Sequence, residues 1–164
     1  MLHIVLIEPE IPGNTGNIAR LCAATNTVLH LVHPLGFEIS DKYLKRAGLD
    51  YWNLVTVREH QSFAEVKAEL VGHNFYFLTT KSQKNYCDIS YTPTDVLVFG
   101  KETAGIPEAI LTEHKENCIR IPMVEGARSL NLANSAAICL YEALRQNDFL
   151  NLSSTGRGII LDEW

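Results

Sequence analysis

The order of strand-like and helix-like segments is the feature that most constrains how this chain can fold. Short apolar runs rich in β-branched residues alternate with segments whose apolar residues recur at helical spacing. Strands joined through helices are typical of parallel pairing, because a parallel pair needs a long crossover connection. The sequence therefore predicts an α/β domain, a mostly parallel sheet with flanking helices.

The individual elements follow from the same patterns. Strands are predicted at residues 2–7, 28–32, 54–57, 75–79, 96–99 and 118–121. Helices are predicted at residues 17–25, 41–47, 63–71, 108–114 and 131–146. The last helix carries an apolar stripe of Ala133, Ala136, Ala137, Leu140 and Leu144, typical of a helix that faces a core or an interface.

Length and composition indicate one compact unit. The chain has 164 residues, of which 46% are hydrophobic and 20% charged, so it is able to bury a core. We expect a single domain over residues 1–150 and a loosely ordered tail over residues 151–164, where the periodicity is lost. No apolar run approaches the ~18–20 residues that span a bilayer.

Cysteine spacing and net charge narrow the function classes. The four cysteines are widely spaced and lack a C-x-x-C pair, which predicts reduced, packing thiols in a cytosolic protein and a site without metal. The net charge of −5 is a poor basis for holding nucleic acid by charge alone. Composition by itself favours a small-molecule enzyme, and an RNA partner would require basic residues gathered on one face.

Three separated segments could carry chemistry. Residues 13–20 (GNTGNIAR) follow a predicted strand and open a helix, where free backbone N–H groups can bind an anion. They match neither a P-loop nor a G-x-G-x-x-G fingerprint, and local sequence alone favours the alternative of a turn capped by Asn14 or Thr15. On that interpretation Arg20 lies about one turn into the helix and projects back towards the turn.

The other two segments lie further along the chain. Residues 99–107 (FGKETAGIP) run from a strand end into a loop, where Gly100 allows a ligand close to the backbone. A tight turn with a solvated Lys-Glu pair is the alternative. In residues 121–134 (IPMVEGARSLNLAN), Asn131 and Asn134 can cap a helix or bind a neighbouring loop.

Taken together, these segments resemble the SPOUT methyltransferase superfamily, and within it the minimal bacterial enzymes of the TrmL (YibK) type. The resemblance rests on N-x-G-N-x-x-R, F-G-x-E-x-x-G-[IL]-P and I-P-M…R-S-[LM]-N-L-[AS]-N in that order, and it covers roughly residues 1–147. It implies a C-terminal trefoil knot and a cytoplasmic homodimer whose interface includes the helix at residues 131–146. It also implies methylation of the ribose 2′-OH of the wobble nucleotide, cytidine or uridine 34, in the anticodon stem-loop of tRNA.

The resemblance also implies roles for individual residues. Leu78, Gly100, Ile121 and Ser129 would contact S-adenosyl-L-methionine, which leaves as S-adenosyl-L-homocysteine. Arg20 would be catalytic, with Asn14 and Asn17 bracing its segment, and Arg128 would hold an RNA phosphate. Because the pKa of arginine exceeds ~12, Arg20 is expected to stabilise the developing alkoxide rather than to act as a base.

One departure concerns the RNA contacts. Ala104 stands where members of the family commonly carry arginine, so basic residues elsewhere would have to hold the RNA. Lys42, Lys45 and Arg46 fall on one side of a predicted helix and form a candidate RNA-binding patch, although a solvated helix face is the common alternative. Two other functions stay open: 2′-O-methylation at another position of tRNA or rRNA, and a cofactor- or RNA-binding module without turnover.

Overall fold

The sheet organises the whole molecule. The computed structural model describes residues 1–38, 54–153 and 155. The strands among them are β1 (His3–Ile7), β2 (Val28–Val32), β3 (Val57–His60), β4 (Phe75–Leu78), β5 (Val96–Phe99) and β6 (Cys118–Ile119). They form one six-stranded sheet in the order β3-β2-β1-β5-β4-β6, and every pairing between them is parallel. The predicted α/β class with a mostly parallel sheet is confirmed.

Helices cover both faces of this sheet. They are α1 (Pro12–Thr25), α2 (Phe63–Glu69), α3 (Glu108–Glu113) and α4 (Leu132–Gln146), with 3-10 turns at Tyr86–Asp88 and Lys115–Asn117. On one face, Ile4, Leu29 and Leu97 pack with residues of α1 and α4. On the other face, Val5 and Val98 pack with residues of α2 and α3. Successive strand residues thus enter different cores, which explains why β2 and β5 are buried at every position.

The strand order reverses at the middle of the sheet. β1 pairs with β2 on one side and with β5 on the other, so the chain after β1 runs towards one edge while β4 and β6 lie towards the opposite edge. In open parallel sheets, ligands bind outside the carboxyl ends of the strands at such a reversal. The topology therefore directs attention to the segments that follow β1, β4, β5 and β6.

Two element predictions are wrong. The strand predicted at residues 54–57 lies instead at Val57–His60. Leu54 is 69% exposed, and Arg58 and Glu59 on β3 are exposed, because β3 pairs only with β2 among the described residues. An edge strand of this kind shows no apolar run, so the hydrophobic residues at 54–57 led to a strand predicted three residues too early.

The start of α1 also differs from the prediction of residue 17. The helix begins at Pro12, whose missing N–H costs nothing in a first turn, and its N-cap is Ile11 without a side-chain cap bond. Asn14 and Thr15 are therefore helical and do not serve as caps. Gly13 and Gly16 weaken a helix locally, but tertiary packing overrides that preference here.

The remaining elements agree with expectation to within two residues at each end. Asn131 caps α4 through its side-chain oxygen, which accepts hydrogen bonds from the backbone N–H groups of Ala133 (2.9 Å) and Asn134 (3.3 Å). Within the predicted stripe, Ala136, Leu140 and Leu144 are buried in the core. The helix predicted at residues 41–47 and nearly all of the tail lie outside the described residues. None of the helices described is long and apolar enough to cross a membrane.

Candidate functional site

A cavity of about 620 Å³ lies at the carboxyl ends of β4, β5 and β6. Its walls come from the ends of β4 and β5, from the segments that follow β4, β5 and β6, and from the start of α1. The four predicted cofactor residues Leu78, Gly100, Ile121 and Ser129 all line it, as do Arg128 and Ala104. Parallel strands bring their carboxyl ends to one edge, which is why residues more than 50 positions apart in the sequence meet here.

Gly100 is required by the backbone itself. A Cβ atom at this position would lie 2.0 Å from the carbonyl carbon of Gly105 and 2.1 Å from the nitrogen of Ile106. The loop folds back onto the strand end, and the N–H of Gly105 donates to the carbonyl of Lys101 at 2.8 Å. Gly105 adopts a φ of +72°, which favours glycine. The sequence predicted close approach of a ligand at Gly100; the structure shows close approach of the chain itself.

Glu102 is the residue that connects this loop to α1. Its carboxylate accepts hydrogen bonds from the backbone N–H groups of Glu10 (2.8 Å) and Ile11 (3.2 Å) and from the side-chain amide of Asn14 (2.9 Å). The two backbone donors lie just before α1, so the carboxylate is near the positive end of the helix dipole, which stabilises an anion. The anion at this helix terminus is thus a carboxylate of the chain.

Asn14 extends the connection to the third segment. Its amide donates to Glu102, and its side-chain oxygen accepts a hydrogen bond from the side-chain amide of Asn131 at 2.9 Å. Asn14 is only 7% exposed, so these bonds form largely away from water. Asn131 in turn caps α4. A continuous path of hydrogen bonds, Glu102–Asn14–Asn131, therefore joins all three sequence motifs.

A second set of bonds fastens the same loop to the segment after β1. The ammonium group of Lys101 lies 2.9 Å from a carboxylate oxygen of Glu8, and this hydrogen bond raises the pKa of Lys101. Thr103 donates from its backbone N–H (3.1 Å) and its hydroxyl (2.7 Å) to the carboxylate of Glu10. The alternative of a solvated Lys101–Glu102 pair is wrong, because each of these residues bonds to a different part of the neighbouring segment.

Glu102 is not among the residues predicted from the sequence. The motif F-G-x-E-x-x-G contains it, but nothing local indicates which donors it meets, because its three partners lie about 90 positions earlier in the chain. The two carboxylates of Glu8-Pro9-Glu10, together with Lys101 and Thr103 in the second motif, were the available signal that these segments pair.

The predicted catalytic residues divide into two groups. Among the described residues, the lining of the cavity includes Asn14 but neither Asn17 nor Arg20. Asn17 and Arg20 are exposed and follow Asn14 at intervals of three residues, each ~4.5 Å further along the axis of α1. Arg20 is therefore in the third turn of the helix, deeper than predicted. Lys42, Lys45 and Arg46 lie outside the described residues.

Comparisons with known proteins agree with this geometry. The model of the SpoU rRNA Methylase family matches residues 1–141. A tRNA (cytidine(34)-2′-O)-methyltransferase from Methylovorus glucosotrophus is 52% identical over 150 residues, which cover 91% of this chain and 97% of that protein. A structure solved to study the 2-OH methylation of C/U34 on tRNA is 43% identical, with a TM-score of 0.85 over 90% of this chain and 97% of the other. An AdoMet-bound rRNA methyltransferase from Sinorhizobium meliloti is 26% identical, with a TM-score of 0.78 over 88% of this chain and 56% of the other.

Proposed function

The chain belongs to the SpoU rRNA Methylase family, and on that premise we propose that it methylates the ribose 2′-OH of nucleotide 34, the wobble position of tRNA, with S-adenosyl-L-methionine as methyl donor. The observation that carries this proposal is the near full-length identity of 52% to a tRNA (cytidine(34)-2′-O)-methyltransferase. The cavity built by the three motifs provides a site of suitable size and chemistry.

The cavity fits the proposed cofactor. Its volume of about 620 Å³ lies within the ~300–1,000 Å³ common for small-molecule sites. Leu78 and Ile121 offer apolar walls for a purine, and Gly100 and Ser129 bring backbone groups to the same cavity. S-adenosyl-L-methionine supplies an electrophilic methyl group when bound. The AdoMet-bound relative of 26% identity supports this choice of cofactor.

The chain's own residues then have to place the ribose and favour its ionisation. Arg20 stays protonated at neutral pH, so its role in the proposal is to stabilise negative charge on the 2′-oxygen and to orient an adjacent phosphate. The Glu102–Asn14–Asn131 path holds α1, which carries Arg20, against the cavity loops. Correct placement alone contributes a large share of such rate accelerations.

RNA binding in the proposal depends on a few basic residues. The net charge of −5 means that they must be concentrated near the site. Arg128 lines the cavity and is exposed, which suits a contact with phosphate. Ala104 lies in the same lining and offers no charge. The patch Lys42, Lys45 and Arg46 is the proposed additional contact with the anticodon stem-loop.

Further parts of the proposal follow from family membership. We propose release of S-adenosyl-L-homocysteine, a trefoil knot in the C-terminal half and a cytoplasmic homodimer that uses α4. We also propose that residues 1–150 form a single domain and that a loosely ordered tail follows it. The core position of Ala136, Leu140 and Leu144 leaves the other side of α4 for a partner, where Ile138 and Tyr141 are 36% and 47% exposed.

A transfer assay with chemically defined RNA tests the proposal. The purified protein is given labelled S-adenosyl-L-methionine and either an anticodon stem-loop or the same RNA with a single 2′-deoxy nucleotide at position 34. We expect label in the first RNA and none in the second, because only the reacting hydroxyl differs. Label in the deoxy RNA would assign the activity to another position. Cofactor binding without labelling of any tRNA or rRNA would support a module without turnover.

A further inference from the structure

A row of histidines crosses the sheet on the face covered by α2. His3 on β1, His30 on β2 and His60 on β3 are consecutive members of this row. His30 is fully buried and His60 is 6% exposed, in a layer that otherwise consists of residues such as Val5 and Val32. Buried imidazoles in an apolar layer need specific partners. None of these histidines lines the cavity described above.

The histidines bring ligand-type atoms together with one carboxylate. Nδ1 of His30 lies 3.0 Å from Nε2 of His60, and Nε2 of His60 lies 3.9 Å from Oε2 of Glu69, which α2 supplies. One ligand atom from each of the three residues lies within 4.8 Å of the others. Zinc binds histidine nitrogen at ~2.0–2.1 Å, so two nitrogens on one ion lie roughly 2.9–3.4 Å apart. These two nitrogens, which form a hydrogen bond in the structure, already have that separation.

We propose that His30, His60 and Glu69 form a binding site for a divalent transition metal ion, with Zn²⁺ as the best fit to two imidazoles and one carboxylate. Three protein ligands of this kind leave a fourth position for water. Glu69 is 34% exposed, so the ion has a route to its ligands from solvent. The site would connect the edge strand β3 to β2 and α2, and it lies apart from the cavity proposed for methyl transfer.

His3 supplies the support that metal-bound histidines need. A histidine that coordinates through one nitrogen carries its proton on the other, and a second residue accepts a hydrogen bond from that N–H group. With Nδ1 of His30 on the metal, Nε2 of His30 donates to Nδ1 of His3, which lies 2.9 Å away.

The charges around the site leave Glu69 available. Arg58 bonds to Oε1 of Glu69, while Oε2 faces His60. Oε1 of Glu69 can therefore stay bonded to Arg58 while Oε2 coordinates the ion. His73 packs edge-on against His3 at a ring-centroid distance of 5.3 Å and completes the layer of rings.

Calorimetric titration of the chelator-stripped full chain with ZnCl₂, followed by thermal unfolding, tests this proposal. We expect one equivalent bound per chain and a Tm that rises with zinc concentration, because an ion that binds only the folded state stabilises it. Glu69→Gln should weaken zinc binding at least tenfold. His60→Gln should abolish it, and His3→Gln should weaken it by about 10–100-fold, as loss of a supporting partner does.

The pair His33–Glu59 provides a matched control. It is another histidine–carboxylate contact, at 2.9 Å, but on the surface and outside the row. His33→Gln should leave zinc binding unchanged. Because Glu69→Gln alters an exposed side chain, it keeps the test valid if His60→Gln does not fold. Absence of saturable binding, retention of binding in folded Glu69→Gln, or its loss in His33→Gln would overturn the proposal.

Discussion

The side-chain carboxylate of Glu102 accepts hydrogen bonds from three donors, which are the backbone N–H groups of Glu10 and Ile11 and the side-chain amide of Asn14. Glu102→Gln keeps the size of the side chain but replaces one acceptor oxygen with a donor that faces other donors. Loss of charged hydrogen bonds of this type costs about 1–3 kcal/mol in the free energy of unfolding. Urea denaturation measures the change. Glu108→Gln is the control, because the side chain of Glu108 is 83% exposed and its change should stay within about 0.5 kcal/mol. Equal stability of the two variants would contradict the role of Glu102.

Gly100 sets the position of the loop at the carboxyl end of β5. In Gly100→Ala the new Cβ would lie 2.0 Å from backbone atoms of Gly105, so the loop has to move. We expect the affinity for S-adenosyl-L-methionine, measured by calorimetry, to fall more than tenfold. Gly13→Ala is the matched control, since a Cβ there meets no atom within 4 Å. Unchanged affinity in Gly100→Ala would show that the cofactor does not bind beside this loop.

Arg20 carries the proposed electrostatic role. Arg20→Ala should abolish methyl transfer to tRNA while cofactor affinity stays within about twofold, because Arg20 is outside the cavity lining and acts on the ribose. Single-turnover assays and calorimetry separate the two effects. Arg20→Lys keeps the charge without the planar fork and should retain a small part of the rate. Turnover like that of the unmodified protein in Arg20→Ala would remove this residue from the mechanism.

At the scale of elements, the predictable parts are those whose local pattern and tertiary environment agree. β2 and β5 are buried on both faces, so their continuous apolar runs identify them residue by residue. The N-terminus of α1 was not predictable in the same way. Glu102, a residue about 90 positions away, binds the backbone N–H groups of Glu10 and Ile11 just before the helix, so no local side-chain cap marks where the helix begins. β3 was misplaced because an edge strand lacks a distinct apolar pattern.

The candidate site shows the same division. Its location followed from the carboxyl ends of parallel strands, and the predicted cofactor residues do meet in one cavity. The path Glu102–Asn14–Asn131 could not be predicted, because hydrogen-bond partners depend on how separate segments pack. The histidine row was hidden for a similar reason: His3, His30 and His60 are about 30 residues apart and become neighbours only through the strand order.

The predicted helix at residues 41–47 carries the element-scale prediction about RNA. Charge reversal of Lys45 and Arg46 should weaken tRNA binding and reduce the slope of log K against log salt by about 0.9 for each lost phosphate contact to a duplex. Filter binding over a range of salt concentrations measures both quantities. Charge reversal of Lys84 and Lys115, two exposed lysines outside the cavity lining, is the control for net charge. An affinity and a slope that match those of the control would exclude the patch from the RNA interface.

For the whole molecule, the proposed reaction reconciles an acidic chain with an RNA substrate. Net charge opposes non-specific binding of nucleic acid, so recognition has to rely on a small number of placed groups around one cavity. The three motifs surround that cavity, and hydrogen bonds join them into one unit. One edge of the sheet holds a small-molecule site, and the neighbouring helix α1 presents Arg20. This arrangement suits transfer of a methyl group from a bound donor to an RNA chain.

The most direct measurement is mass-spectrometric mapping of 2′-O-methylation in tRNA from a strain that lacks this gene, complemented with either the intact gene or the Arg20→Ala variant. We predict that the methyl group at position 34 is absent in the deletion strain, returns with the intact gene and stays absent with the variant. Full methylation at position 34 in the deletion strain, or loss of a methyl group only at another position, would contradict the proposed function.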